Sequence, residues 1–259
     1  MPATREGERP VIGICSRPDE TGEHTYIAQN YASRVTAAGG IPVGLPYCDE
    51  AADMAAELMG RIDGLLLTGG GDVCPDGFGG HPYADESHAP IDGLLPDRDS
   101  FEWAAAKAAW AIDLPCLGVC RGVQVLNVVH GGTLARDVSE LGHANEIDHV
   151  MKPPFDRPYH HVRIDGTSRL GEILRVSEAE VNSIHHQAIC SAAPDAKVVA
   201  WANDGTIEAI EFDQRTFFMG VQWHPEITGS MPLLFRAFVG AAEDKMQARG
   251  RAFETLEAC

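Results

Sequence analysis

Leu117-Gly118-Val119-Cys120-Arg121-Gly122 sets a cysteine two residues after one glycine and two before another, where a short apolar run gives way to helical spacing. This G-x-C-x-G is the thiol counterpart of the nucleophile elbow. There a sharp strand-to-helix turn forces the nucleophile into strained dihedrals and lifts its side chain out of the sheet. The glycines let neighbouring backbone pass close by. The helix N-terminus favours thiolate over thiol, and its free N–H groups can hold an oxyanion. The bland alternative for Cys120 is an inert thiol at a buried strand end. A cysteine nucleophile needs a base, and of the 11 histidines His224 stands out, in Val221-Gln222-Trp223-His224-Pro225-Glu226. Pro225 pushes His224 out of the helical region. In an extended segment positions i and i+2 face the same way, so Glu226 can reach and orient the imidazole. The alternative is a surface turn of ordinary polar residues.

These groups must be positioned by a sheet. Val11 to Ser16 reads as a strand buried on both faces, and Tyr26 to Ala38 carries helical spacing that stops at Gly39-Gly40. The cycle repeats: strands over 41–45, 64–68 and 115–119, helices over 50–59, 100–112 and from Arg121. This βαβα alternation predicts a parallel sheet with helices on both faces, a three-layer α/β sandwich. After Gly131-Gly132 come short strands over 159–164, 180–184, 197–201, 207–212 and 217–221 with few helices between them. Asn203-Asp204-Gly205 is a hairpin signal, because these residues tolerate positive φ, so the second half adds an antiparallel extension. Residues 232–246 read as a closing amphipathic helix. One domain over 11–247 is expected, with a disordered segment 1–10 and a frayed tail 248–259. The long loop 69–96, at the carboxyl end of a central strand, is a candidate wall of the site.

With both motifs in place, the chain resembles the class I glutamine amidotransferases, in which G-V-C-R-G-V-Q is followed about a hundred residues later by G-V-Q-W-H-P-E. Leu67-Thr68-Gly69-Gly70-Gly71-Asp72, Pro96-Asp97-Arg98-Asp99, Val181-Asn182-Ser183-Ile184-His185-His186-Gln187 and Asn203-Asp204-Gly205 with Glu208-Ala209 narrow the likeness. They resemble the γ-glutamyl-γ-aminobutyrate hydrolase group, peptidase family C26. The resemblance implies a flavodoxin-like sandwich and a γ-glutamyl amide hydrolase working through a γ-glutamyl thioester without a cofactor. It casts Cys120 as nucleophile, His224 as base then acid, and Glu226 as its orienter. Backbone N–H groups of Arg121 and of Gly70 or Gly71 would form the oxyanion hole. The residues by themselves allow the Gly69–Gly71 turn to be an anion nest or a simple turn.

Gln124, one helical turn beyond Cys120, either touches the glutamyl group or is buried in helix packing. Asn182, Ser183, His185 and Gln187 are candidate partners for the glutamyl α-amino and α-carboxylate groups, or a polar strand end. Phe78 and Tyr83 in the long loop are placed to meet the leaving amine. Two positions depart from the family pattern: Phe78 where relatives commonly carry Tyr, and His186 where Gly is usual. An ammonia-supplying glutaminase subunit and a non-enzymatic thiol sensor are the competing functions. The sensor leaves His224-Pro225-Glu226 without a task.

The formal net charge of -18 repels a phosphate backbone, which argues against nucleic acid and anionic membrane. No apolar run reaches the roughly 18 residues of a membrane span, and the first residues lack a signal peptide's apolar core. A cytoplasmic enzyme of a small molecule is expected, self-association, if any, giving a homodimer. The 7 cysteines contain no C-x-x-C pair, as in reduced thiols. His143, His149, His160-His161 and His185-His186 invite a metal. Adjacent histidines on a strand point to opposite faces, so neither doublet can chelate one ion, and no metal is expected. Asp99 with Glu102 has the spacing of an N-cap reinforced at N3.

Overall fold

The computed structural model describes residues 7–19, 21–47, 51–75, 82–84, 87–143 and 147–257. The first half contains β1 (Val11–Cys15), β2 (Arg17–Pro18), β3 (Thr25–Tyr26), α1 (Gln29–Ala37), β4 (Ile41–Leu45), α2 (Ala51–Met59) and β5 (Gly64–Leu67). It continues through α3 (Pro96–Ala111), β6 (Cys116–Val119), α4 (Arg121–Val129) and β7 (Thr133–Ala135). The second half holds β8 (His160–Ile164), α5 (Arg169–Leu174), β9 (Glu178–Val181), β10 (Ala188–Ser191), β11 (Lys197–Ala202), β12 (Ile207–Glu211) and β13 (Phe218–Val221). Helices α6 (Pro225–Thr228) and α7 (Pro232–Glu257) close it.

Strands run in the order β4-β1-β5-β6-β13-β12-β11-β8-β9. Pairs from β4 to β13 are parallel, and those from β13 to β9 antiparallel. Alternate side chains feed two cores. Leu65, Leu67 and Cys116 pack with α2, α3 and α4 on one face; Ile12, Ile14, Leu66 and Leu117 pack with α1 and α7 on the other. That is the three-layer α/β sandwich with its antiparallel extension, and the hairpin at 203–205 joins β11 to β12 with Gly205 at φ 99.

Differences from the expected elements have local causes. Tyr26 pairs in the β2–β3 ribbon, so α1 starts only at Gln29. Helix α3 starts at Pro96, whose fixed φ suits the first helical position. Asp99 and Glu102 therefore lie inside the helix, and the expected N-cap pair does not exist. α5, which no apolar periodicity marks, is capped by Ser168 Oγ accepting the Gly171 N–H at 3.0 Å. The closing helix continues to Glu257, through most of the stretch expected as a tail. Residues 1–6 of the expected disordered segment lie outside the described residues.

The elbow glycines are required by close approach. A Cβ on Gly122 would stand 2.3 Å from the Leu67 carbonyl oxygen, and one on Gly118 2.6 Å from the Gly122 carbonyl. Backbone of α4 thus lies directly on β5 and β6. Gly122→Ala should lower stability by roughly 1–3 kcal/mol through this overpacking, read as a lower urea midpoint with unchanged m-value.

Candidate active site

Cys120 joins the end of β6 to the start of α4 with φ 53 and ψ -111, a positive φ that a non-glycine residue rarely adopts. Its own N–H is held by the Val221 carbonyl at 2.8 Å, which ties the elbow to β13. The Gln222 amide Nε2 stands 3.6 Å from the Cys120 sulfur. Such a conformation costs on the order of 1–3 kcal/mol and persists only where the surroundings over-determine it. Here both flanking strands and the close-packed glycines do so.

One residue past Trp223, His224 caps α6, with Pro225 at the first helical position. Glu226 reaches the imidazole from the first turn of that helix rather than from an extended strand, and its Oε1 lies 2.7 Å from His224 Nδ1. The other ring nitrogen is left for the thiol. Asn182 Oδ1 accepts the His224 backbone N–H at 2.9 Å. Burial disfavours the charged imidazole, but the Cys120 sulfur and then the Glu226 carboxylate outweigh it and hold the His224 pKa well above its ordinary 6.5.

Cys120, His224, Glu226, Tyr31 and the Gly69–Gly71 turn line one open cleft of about 410 Å³, with Arg17 and Tyr26 among its outer residues. The Tyr31 hydroxyl accepts the Gly69 N–H at 3.0 Å, and the Asp92 carbonyl accepts that of Asp72 at 3.0 Å. Among the described residues no acceptor takes the Gly70 or Gly71 N–H. The Arg121 N–H opens a helix and has no intrahelical acceptor. These are the donors an oxyanion would need.

The glycine turn is held from behind by a buried ionic cluster. Arg98 donates to the Thr68 and Gly69 carbonyls at 3.1 Å each, and its Nε donates to Glu102 at 2.8 Å. Glu102 also pairs with Arg121, whose guanidinium bonds Asp99, and Asp99 accepts the Cys74 N–H at 2.7 Å. A Cβ on Gly70 would stand 2.1 Å from Arg98 Nη1, so a side chain there would push the guanidinium out of its place. Asp99 and Glu102 are thus the counter-charges of two buried arginines.

The other sequence candidates lie behind the cleft rather than in its lining. Gln124 Nε2 donates to the Gln187 carbonyl at 3.0 Å and to Gln222 Oε1 at 3.2 Å. Asn182 Nδ2 donates to the Phe155 carbonyl, and Ser183 Oγ to that of His149. His185 Nδ1 lies 2.9 Å from the Gln187 carbonyl, and Gln187 Nε2 donates to Tyr83 at 3.0 Å. Only Ile184 of this segment lines the cleft. Tyr83 is buried with its hydroxyl bound to the Val73 carbonyl and does not line the cleft, and Phe78 lies outside the described residues. Tyr31, Gln222 and Arg98 belong to the site; Arg98 and Gln222 lie within motifs of the sequence that signal no role for them, and Tyr31 carries no sequence signal of its own.

The peptidase C26 family model matches residues 10–226. The glutamine amidotransferase-like protein YvdE of Lactococcus lactis is 35% identical over 227 residues, covering 84% of this chain and 91% of that one. The γ-glutamyl-γ-aminobutyrate hydrolase PuuD of Escherichia coli is 29% identical over 252 residues, covering 93% and 97%. Among solved structures, the glutaminase domain of Trypanosoma brucei CTPS with bound acivicin superposes with a TM-score of 0.59 at 17% identity, covering 91% of this chain and 94% of that one. No helix among the described residues is long and apolar enough to cross a membrane.

Glu226→Gln removes one of the two charges that raise the His224 pKa, so that pKa should fall, read from the pH dependence of the imidazole NMR signals. Because the folded-state pKa is raised, the pair's stabilisation is full below the unfolded histidine's pKa and is lost as pH rises through the folded value. The stability gap between wild type and Glu226→Gln should accordingly narrow toward alkaline pH.

Proposed function

The chain belongs to the peptidase C26 family and is a hydrolase of amide bonds; we propose that its substrates are γ-glutamyl amides and that Cys120, His224 and Glu226 perform the reaction. The observation that carries this reading is the Cys120 elbow facing, across one cleft, an imidazole whose Nδ1 is fixed by a buried carboxylate 2.7 Å away. The Cys120 thiolate attacks the γ-carbonyl carbon, and the oxyanion is received by the N–H groups of Gly70 or Gly71 and Arg121. As the C–N bond breaks, the His224 imidazolium gives its proton to the departing amine, leaving a γ-glutamyl thioester. Water then adds to the thioester while His224 takes its proton. The C–S bond breaks, glutamate leaves, and the thiolate–imidazolium pair is restored. Tyr31 acts at one remove, by holding the Gly69 end of the oxyanion turn.

The size and opening of the cleft favour an amide larger than glutamine. About 410 Å³ lies within the range of small-molecule sites, about 300–1,000 Å³, and leaves room beyond a glutamyl group for an amine near Arg17 and Tyr26. The name of the Escherichia coli relative points the same way. γ-Glutamyl-γ-aminobutyrate and related γ-glutamyl amines are therefore the first substrates to test, with glutamine as the competitor that an ammonia-supplying subunit would prefer.

Cys120→Ala should lower kcat by at least about 10³-fold with the fold retained by circular dichroism. Mass spectrometry of acid-quenched wild-type turnover should show a glutamyl adduct on Cys120. Activity surviving in the variant would remove Cys120 from the mechanism. In a panel of γ-glutamyl amides, faster turnover of glutamine than of every secondary amide would move the assignment to the ammonia-supplying class.

A further inference from the structure

A second cluster of ionisable groups lies buried in the antiparallel extension, built from one histidine of each doublet. Strand alternation turns His161 outward to Glu180 and His160 inward, where it meets His149, His185 and Glu208. All four are 0 to 7% exposed. Glu208 Oε1 stands 3.4 Å from His160 Nε2, 3.5 Å from His149 Nδ1 and 3.7 Å from His185 Nε2. These separations are too long for hydrogen bonds. Both Glu208 oxygens, His160 Nε2 and His185 Nε2 have no hydrogen-bond partner, and each such orphan in a protein interior carries a desolvation cost.

The outward nitrogens fix the tautomers. His160 Nδ1 lies 3.2 Å from the His161 carbonyl and His185 Nδ1 2.9 Å from the Gln187 carbonyl, so each must carry the proton there. His149 Nε2 lies 2.9 Å from Asp204 Oδ2. Neutral imidazoles so arranged aim three lone pairs at one carboxylate oxygen. Ser183 Oγ lies 3.2 Å from His149 Nδ1, but its proton goes to the His149 carbonyl at 2.9 Å. Acceptors alone converge on this point, which is a place for a cation.

We infer that His149 Nδ1, His160 Nε2, His185 Nε2 and Glu208 Oε1 form a binding site for one divalent transition-metal ion of the zinc type. Three imidazoles and a carboxylate are a donor set such ions take, and bonds of about 2.0–2.1 Å in a tetrahedron put donors about 3.3 Å apart. The 3.4 and 3.5 Å separations of His160 and His149 from Glu208 need only a slight contraction, and His185 Nε2, 3.7 Å from Glu208, moves further inward to join them. The ligating atoms of His149, His160 and Glu208 already lie within 4.8 Å of one another. Carbonyl and carboxylate partners on the outer nitrogens are the usual supports of metal-bound histidine. Glu208 and Asp204 together balance the ion's two charges. An adjoining surface pocket bordered by His149, His185, Asp148 and Asp137 gives the ion a way in. The site lies behind the cleft, and its ion would clamp β8, β12 and the segment from Asn182 to Gln187, whose first residue holds the His224 N–H.

The test uses the full chain, stripped with a chelator and shown to remain folded, then titrated with Co²⁺ and Zn²⁺. One Co²⁺ per chain is expected, with the visible bands of tetrahedral coordination and no sulfur-to-metal charge transfer, and Zn²⁺ should raise Tm. Cys120→Ala and the outward-facing control His161→Gln should bind equally well. Glu208→Gln and His160→Gln should each weaken binding by at least about 100-fold, more than loss of an outer-shell partner costs. Should both variants fail to fold, zinc-edge X-ray absorption of the wild type decides between three nitrogens with one or more oxygens and any other donor set. Folded, stripped wild type that takes up no ion, sulfur in the metal's coordination, or uptake unchanged in both ligand variants would overturn the assignment.

Discussion

The candidate active site depends on a buried bridge: Glu102 between Arg98 and Arg121, with Asp99 closing the far side. An ion pair out of water gains little net stability, because desolvation offsets most of the attraction, whereas removal of one member leaves an uncompensated charge. Its value here is geometric. Arg98 fixes the carbonyls that precede the Gly70–Gly71 turn, and Asp99 and Glu102 hold the side chain of Arg121, the first residue of the helix that follows Cys120. Two backbone donors that would receive an oxyanion come from different strands, and this cluster holds them in register.

Polar groups in the second half act in the same indirect manner. Asn182 holds the backbone of His224, Gln124 holds Gln222 and the Gln187 carbonyl, and Gln222 approaches the sulfur. Each is buried and committed to protein partners, as interior polar groups must be. Little of this shell is left for other partners, whereas the β2–β3 ribbon and α1 present Arg17, Tyr26, Asn30 and Tyr31 to the cleft.

Much of the architecture was legible because it is written locally. Apolar runs ending in turn residues marked β1, β5 and β6; the elbow glycines marked the strained turn at Cys120; and His-Pro-Glu marked the imidazole and carboxylate that pair beside it. What was not legible is carried by contacts between distant positions. The spacing of Asp99 and Glu102 fits a helix cap, and nothing nearby in sequence says that Arg121, 22 and 19 residues away, claims both. Strand alternation correctly separated the two histidines at 160 and 161. It could not show that the inward one would meet His149, His185 and Glu208, since that meeting needs the pairing of β8 with β11 and of β11 with β12. Ser183 and Gln187 are polar beside the cleft, and their side chains bond the His149 carbonyl and Tyr83, partners that no local pattern announces.

The position of β13 in the sheet has a consequence for how the protein comes into being. It is a central strand, between β6 and β12, yet it is the last strand to leave the ribosome. Until it inserts, Cys120 lacks the Val221 carbonyl that secures its turn, and His224 has no place to stand. Such long-range parallel pairing is slow to form, because the chain must close a long loop before its contacts reward it. In a nascent or partly folded chain Cys120 and His224 therefore stand apart, and the same insertion that completes the sheet brings them to one cleft.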